Sequence, residues 1–202
     1  SLTPLPSGYA SFSVAAASNL AEEDAETGAM ALAPTSLVLL FDGHSQHYMA
    51  VVFPSVALSA GDSPSDSHLV LAVHEVTPLS LEPLTVRLYA ERSVEAAQPA
   101  SGAYHLSSRP RTNASQLWEI PPTPTVGALL YSPDISALLS EVVSLPGWSS
   151  GDPIAIILEH VSGPGARYVE AYDTSSEYAR RSGGEGVVPA LEVNGLPAQE
   201  TQ

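Results

Sequence analysis

The sequence predicts a mainly β protein, an antiparallel jelly-roll β-sandwich of about eight or nine strands with one α-helix near residues 132–145. Short apolar or alternating runs recur along the chain, separated by segments rich in Gly, Pro, Ser and Asp. One segment has a helical period. A chain of 202 residues suits a single sandwich domain, and we expect its core to span about residues 9–194 between short flexible tails.

Eight segments have the composition of β-strands. They are apolar or alternating, and they cover residues 9–17, 35–41, 48–53, 68–76, 84–90, 154–161, 166–173 and 187–194. Segment 84–90 alternates most regularly, so we expect a strand with one buried face. The turn signal Asp42-Gly43 predicts that segments 35–41 and 48–53 form a hairpin. The acidic stretch 19–27 is predicted to be a loop.

Residues 132–145 are predicted to form a helix. Ser132 can accept hydrogen bonds from free N–H groups, Pro133 suits the first helical position, and Asp134 favours the positive end of the helix dipole. One apolar stripe should dock on the sheets; it consists of Ile135, Leu138, Leu139, Val142 and Val143. Pro146 and Gly147 end the segment.

The charge of the chain narrows the classes of partner. The formal charge is −15, from 22 acidic residues and 7 arginines without any lysine, and this opposes binding to nucleic acid phosphates or anionic membranes. There is no cysteine, so disulfides and thiolate metal sites are excluded. No apolar run reaches the roughly 18 residues that a membrane-spanning helix needs. The start at Ser1 fits a mature or excised fragment.

The segment 106–118 holds the candidate ligand-binding residues. Pro110 favours an extended backbone around it, which places Arg109 and Arg111 on the same side of the chain. Two such guanidinium groups could clamp carboxylate or sulfate groups of an acidic polysaccharide, or they could be solvated or salt-bridged locally. Asn113-Ala-Ser115 is an N-glycosylation sequon, and the same alternation puts Asn113 opposite Trp118.

The acidic stretch suggests a calcium site. Glu22, Glu23, Asp24 and Glu26 place four carboxylates within five residues, and calcium prefers six to eight oxygen ligands. Asp173 could join them from a neighbouring strand end. A solvated acidic loop is the alternative interpretation.

Histidine and aromatic residues supply further candidates. His44, His47, His68 and His74, with Asp42 or Glu75, could bind zinc, but they lie on a turn and strands, so surface histidines are the simpler interpretation. Trp118 and Trp148 could stack on sugars, although their apolar neighbours favour the core. The tyrosines Tyr104, Tyr131 and Tyr178 are alternative stacking platforms, of which Tyr104 is our candidate.

Several motifs together resemble a known family. They are residues 107–112, Trp118, 132–143, 146–151, Arg167 and 172–173, with weaker N-terminal matches at 23–26 and 36–39. Over about residues 10–194 they are similar to extracellular carbohydrate-binding modules of the DNRLRE type. The resemblance implies a jelly-roll fold, no catalysis, and often a structural calcium ion. The segment 48–53 departs from the family because it lacks an arginine that such modules often carry there.

These observations predict a function only as a class. The first hypothesis is a secreted or cell-surface, non-catalytic glycoprotein module that binds a polysaccharide or glycoprotein, or builds extracellular matrix, with calcium as a stabilising ion. The second is an adhesive protein whose partner is another protein or a second copy of itself. The third is a metal-dependent hydrolase. We expect no nucleic acid partner and no membrane span.

Overall fold

The computed structural model describes residues 8–39, 45–172 and 188–194. Within them the chain forms two antiparallel sheets and one helix, so the predicted mainly β architecture is confirmed. The described strands number twelve rather than eight or nine. They are β1 (Ala10–Ser13), β2 (Leu20–Asp24), β3 (Met30–Leu32), β4 (Ser36–Leu39), β5 (His47–Phe53), β6 (Ser65–Glu75), β7 (Leu84–Ala90), β8 (Gln116–Ile120), β9 (Leu129–Tyr131), β10 (Ile154–Ser162), β11 (Arg167–Glu170) and β12 (Ala190–Asn194).

The strands divide between the sheets in a non-sequential order. Sheet 1 has the order β1–β12–β6–β11–β4, with β9 paired to β6, and sheet 2 has the order β3–β2–β5–β10–β7–β8. The predicted hairpin is therefore wrong, because β4 pairs with β11 in sheet 1 and β5 pairs with β2 and β10 in sheet 2. The turn signal at Asp42, which lies outside the described residues, marks a connection that changes sheet.

The core lies between the two sheets and is formed by the alternate residues of each strand that point inward. In β7 the residues Leu84, Val86, Leu88 and Ala90 are buried and those between them are half-buried, as predicted. Leu71 of β6 and Phe53 of β5 belong to the same buried cluster, one from each sheet. The cores of the two inner faces are thus continuous.

The helix α1 (Ser136–Val143) is shorter than the predicted segment. Residues 132–135 remain beside β6: the Ser132 N–H donates to the Leu69 carbonyl and the Ile135 N–H to the Ser67 carbonyl. The Asp134 carboxylate accepts hydrogen bonds from the Ser67 and Ser136 N–H groups, so it joins sheet and helix. Pairing with β6 therefore delays the start of the helix. The apolar stripe is buried as predicted.

Four strands were not predicted. Strands β3, β8 and β9 are short, and β2 lies in the stretch expected to be an acidic loop. In β2 the residues Leu20 and Ala21 are fully buried, and Glu22 and Glu23 are buried with them. Two adjacent buried carboxylates do not resemble a strand pattern, because charged residues are rarely buried without partners.

No helix in the described residues is long and apolar enough to cross a membrane.

Candidate functional site

Residues 92–115, which we call the covering loop, cover the part of the outer face of sheet 2 that β2, β5 and β10 form. Ala96 packs against the outward side chains of β5 and β10, and Leu106 packs against those of β2 and β5. The loop leaves and rejoins the sheet where Glu91 forms an isolated bridge with Arg111. This part of the face is therefore an internal interface.

Glu23 holds the middle of the covering loop. Its side chain is fully buried, and its Oε2 accepts hydrogen bonds from the backbone N–H groups of Leu106 at 2.6 Å and Ser107 at 3.2 Å. Bonds to a carboxylate are stronger than bonds between neutral groups. Glu23 is thus a structural anchor between β2 and the loop.

Arg109 is a second anchor. Its guanidinium donates to the Glu91 carboxylate over 2.7 Å, and each residue is only 8 % exposed. Burial raises the pKa of Glu91, although the positive charge of Arg109 works in the opposite direction. The structure therefore buries Arg109, which alternation had placed on an accessible side, in a local ion pair.

Arg111 is held between aromatic rings. Its guanidinium lies 5.2 Å from the ring centroid of Tyr48 and 4.9 Å from that of Tyr89, and it donates to Glu159 over 3.0 Å. Cation–π contacts of this kind favour a fixed guanidinium. Arg111 is half-buried, so its contacts serve mainly to fix the returning end of the covering loop.

Tyr104 joins the covering loop to the turn after β2. Its hydroxyl donates to the Glu26 carbonyl over 3.1 Å, and its backbone N–H donates to the Gly28 carbonyl. A Cβ at Gly28 would lie 2.7 Å from the Tyr104 ring, and Gly28 has φ +72°, so only glycine fits there. The ring remains 46 % exposed, but one of its faces is occupied by the turn.

The predicted calcium ligands do not converge. Glu23 is engaged by the covering loop, while the Asp24 Oδ1 accepts hydrogen bonds from the Glu26 and Thr27 N–H groups. Hydrogen bonds from Thr27, followed by one from Ser45, lower the Asp24 pKa to about 2. Neighbouring strand residues point to opposite faces, so these carboxylates do not form one cage. Asp173 lies outside the described residues.

The candidate zinc ligands are also dispersed. His68 and His74 lie six residues apart on β6, about 20 Å along the strand, and they contact Asp66 and Glu170 respectively. His47 lies on β5 in the other sheet. His44 and Asp42 lie outside the described residues. No arrangement of the described histidines places three ligands together.

Both tryptophans belong to the core. Trp118 is 3 % and Trp148 5 % exposed, and the Trp148 indole N–H donates to the Leu58 carbonyl over 2.9 Å. The interpretation as core residues is confirmed, and neither ring is accessible for stacking.

The sequon lies at the surface. Asn113 is exposed in a bend before β8, while Trp118 is buried, as the alternation predicted. The Asn113 N–H and side-chain amide both donate to the Glu141 carboxylate, at 2.9 and 3.1 Å, and the Ala114 N–H donates to it at 3.0 Å. The bend is therefore fixed to α1.

The outer face of sheet 1 carries exposed aromatic and apolar side chains. Tyr131 is 50 % and Leu129 42 % exposed; both project from β9 on the face opposite to the core residue Leu130. Tyr131 is the register partner of Val70 on β6, which is also the partner of Ala190 on β12. We call this surface, from β9 across β6 to β12 and the adjoining Tyr9, the tyrosine face.

Acidic groups border the tyrosine face. Burial and then the nearby Glu192 carboxylate raise the pKa of Tyr9, although a hydrogen bond from Ser11 has the opposite effect, and Tyr131 is close enough to add to the rise. His68 is the register partner of Glu192. Of the five described arginines, four belong to sheet 2 or its covering loop and Arg167 is fully buried, so the described part of this face has no arginine.

Sequence reasoning overlooked Tyr9, although the outward orientation of its side chain could have been inferred. In the predicted first strand, Phe12 and Val14 share the buried side, so odd-numbered residues must point outward. The alternation of the sequence gave no comparable indication of the structural role of Arg167. Its guanidinium donates to the Thr123 hydroxyl and to the carbonyls of Leu79, Glu82, Ile120 and Pro121, and burial lowers its pKa.

No protein-family model matches the chain, and no curated protein matches it in sequence.

Proposed function

We propose that this protein is a secreted or cell-surface, non-catalytic module of jelly-roll type that binds a glycan on its tyrosine face. The observation that carries the proposal is the half-exposed ring of Tyr131, beside the exposed Leu129, on the outer face of sheet 1. Exposed aromatic and apolar groups bordered by polar residues mark interaction sites on soluble proteins. The weakly polar C–H face of a sugar ring can stack on such a surface.

The polar neighbours of Tyr131 suit sugar hydroxyl groups. The Glu192 carboxylate can accept hydrogen bonds, and the Tyr9 hydroxyl can donate or accept them. A few polar groups beside an aromatic surface are the usual means of fixing a ligand's orientation. Because the described part of the face has the Glu192 carboxylate and no arginine, we expect an uncharged or amino sugar rather than a uronate or a sulfated sugar.

The two arginines of the sequence-based hypothesis have a different role in this proposal. Arg109 and Arg111 already have carboxylate partners, Glu91 and Glu159, and binding an acidic sugar would require those ion pairs to open. The tyrosine face needs no such rearrangement.

A glycan array tests the proposal. The protein should bind neutral or amino glycans, and Tyr131→Ala should reduce the affinity about 5- to 150-fold, since stacking of a ring on an aromatic side chain contributes on the order of 1–3 kcal/mol. Leu117→Ala is the matched control, because Leu117 is equally exposed, at 47 %, but lies on sheet 2. Equal binding by the wild type and Tyr131→Ala would refute the assignment to this face.

A second candidate function is self-association through the same surface. Tyr131 and Leu129 are both exposed on β9, and Val126, in the turn before this strand, is also 51 % exposed. A dimer that buried this area would dissociate in the Tyr131→Ala variant. Size-exclusion chromatography with light scattering at several concentrations distinguishes the two, because a glycan-binding module remains monomeric without its ligand.

A further inference from the structure

Strand β8 forms one edge of sheet 2. It pairs with β7 alone, from Gln116 opposite Leu88 to Ile120 opposite Leu84, and no other described strand pairs with it. Edge strands expose unpaired backbone groups and can join to strands of other molecules. Leu117, at 47 % exposure, adds an apolar side chain to this edge.

Side chains protect the backbone groups of this edge only in part. The Gln116 side-chain amide donates to the Leu117 carbonyl over 3.0 Å, and Arg167 donates to the Ile120 carbonyl. An apolar groove of about 400 Å³ lies beside the end of the strand, lined in part by Leu81 and Pro122. Leu81 is 51 % exposed, so the area around the edge remains accessible and apolar.

The sequon lies at the beginning of this edge. Asn113 precedes the first residue of β8 by three positions, a distance of about 10 Å along an extended chain. Both Asn113 and Ser115 are exposed, and neither is within a helix or strand. Because Glu141 fixes the backbone of Asn113 and Ala114, a group attached to Asn113 would have a defined origin next to the strand.

We propose that Asn113 carries an N-linked glycan and that this glycan covers the β8 edge. The inference rests on the secretion included in the proposed function, but not on glycan binding by the tyrosine face. Attachment needs a lipid-pyrophosphate oligosaccharide as donor. The Asn113 Nδ2 forms a bond to C1 of the first sugar, the bond from C1 to the phosphate oxygen breaks, the lipid pyrophosphate leaves with the electron pair, and the amide nitrogen loses one proton.

Glycosylation is compatible with the local hydrogen bonds. The substituted amide nitrogen retains one N–H, which can still donate to Glu141, and the backbone bonds from Asn113 and Ala114 are unaffected. A few flexible sugars then extend over the roughly 17 Å length of a five-residue strand. Their volume prevents a second strand from approaching the edge.

Secretion of the full chain from a eukaryotic host tests the modification. Ser115→Ala removes the sequon but leaves the bonds between Asn113 and Glu141, whereas Ser115→Thr preserves the sequon and is the matched control. We expect the intact mass of the wild type and of Ser115→Thr to decrease after treatment with peptide N-glycosidase, and the mass of Ser115→Ala to remain unchanged. Secreted wild type without a glycan would overturn the proposal.

Light scattering at equal concentration tests the covering role. Ser115→Ala and the deglycosylated wild type should aggregate at least several-fold faster than the glycosylated protein, and adding Leu117→Lys to Ser115→Ala should restore the slow rate. If glycosylated and unglycosylated proteins aggregate at the same rate, the glycan does not cover the β8 edge. Binding of Ser115→Ala to the glycan array, which depends on Tyr131, separates a failure here from a failure of the proposed function.

Discussion

The two outer faces of the sandwich use different residues for different purposes. On sheet 2 the charged residues Glu23, Arg109 and Arg111 hold the covering loop against the strands, whereas on sheet 1 the side chains of Tyr131 and Leu129 are exposed. Clustered charge in this sequence thus marks an internal interface. The surface that we propose for ligand binding is marked instead by an aromatic residue on a short strand.

Removing Arg109 should give the largest effect on the covered face. Arg109→Met leaves the Glu91 carboxylate buried without a partner, and we expect the free energy of unfolding to fall by about 3–5 kcal/mol. The double variant Arg109→Met with Glu91→Leu should recover most of this loss, because an apolar pair can replace a buried ion pair. Urea denaturation measures both.

The exposed ion pair of Arg92 with Glu141 provides the control for that experiment. Arg92 is half exposed, so Arg92→Met should cost less than about 1 kcal/mol. Equal losses for the Arg92 and Arg109 variants would mean that the covering loop is not anchored by its buried charge.

Removing Glu23 should have the next largest effect. In Glu23→Ala the buried N–H of Leu106 loses its acceptor, while the half-exposed Ser107 can bind water, so we expect a loss of about 1–3 kcal/mol. Glu26→Ala, an exposed carboxylate in the same acidic stretch, should change the urea midpoint little. A similar loss in the two variants would contradict the anchoring role of Glu23.

The smallest expected effect concerns the turn that supports Tyr104. The folded pKa of Asp24 is lowered from 3.8 to about 2, so its charge stabilises the fold above pH 3.8 and this contribution is lost as the pH falls through about 2. The wild type should therefore be more stable than Asp24→Asn at pH 5, and the difference should shrink between pH 4 and pH 2. Urea midpoints across that range measure it; a constant difference would show that the Asp24 charge is not involved.

Sequence patterns predicted the parts of the fold that depend on local periodicity. The alternation of β7 and the apolar stripe of α1 follow from residues a few positions apart, and both are as expected. The first turn of the helix was misplaced, because the bonds of residues 132–135 to β6 connect positions more than 60 residues apart. Periodicity contains no information on such competition.

The candidate site was less predictable for the same reason. From the sequence alone, Glu23 resembles an exposed acidic residue. Its role depends on Leu106, which is 83 residues away. From the sequence alone, Arg109 resembles a ligand-binding group. Only the return of the covering loop to the sheet places Glu91 beside it. Tyr131 was only one of three tyrosine candidates, and its position on the outer face of sheet 1 depends on the pairing of β9 with β6.

Hydrogen–deuterium exchange with and without a glycan selected on the array shows which outer face of the protein the ligand contacts. We expect slower exchange in β9 and the adjoining part of β6, with residues 104–112 unchanged. Protection confined to residues 104–112, with β9 unaffected, would contradict this expectation and would return ligand binding to the two arginines.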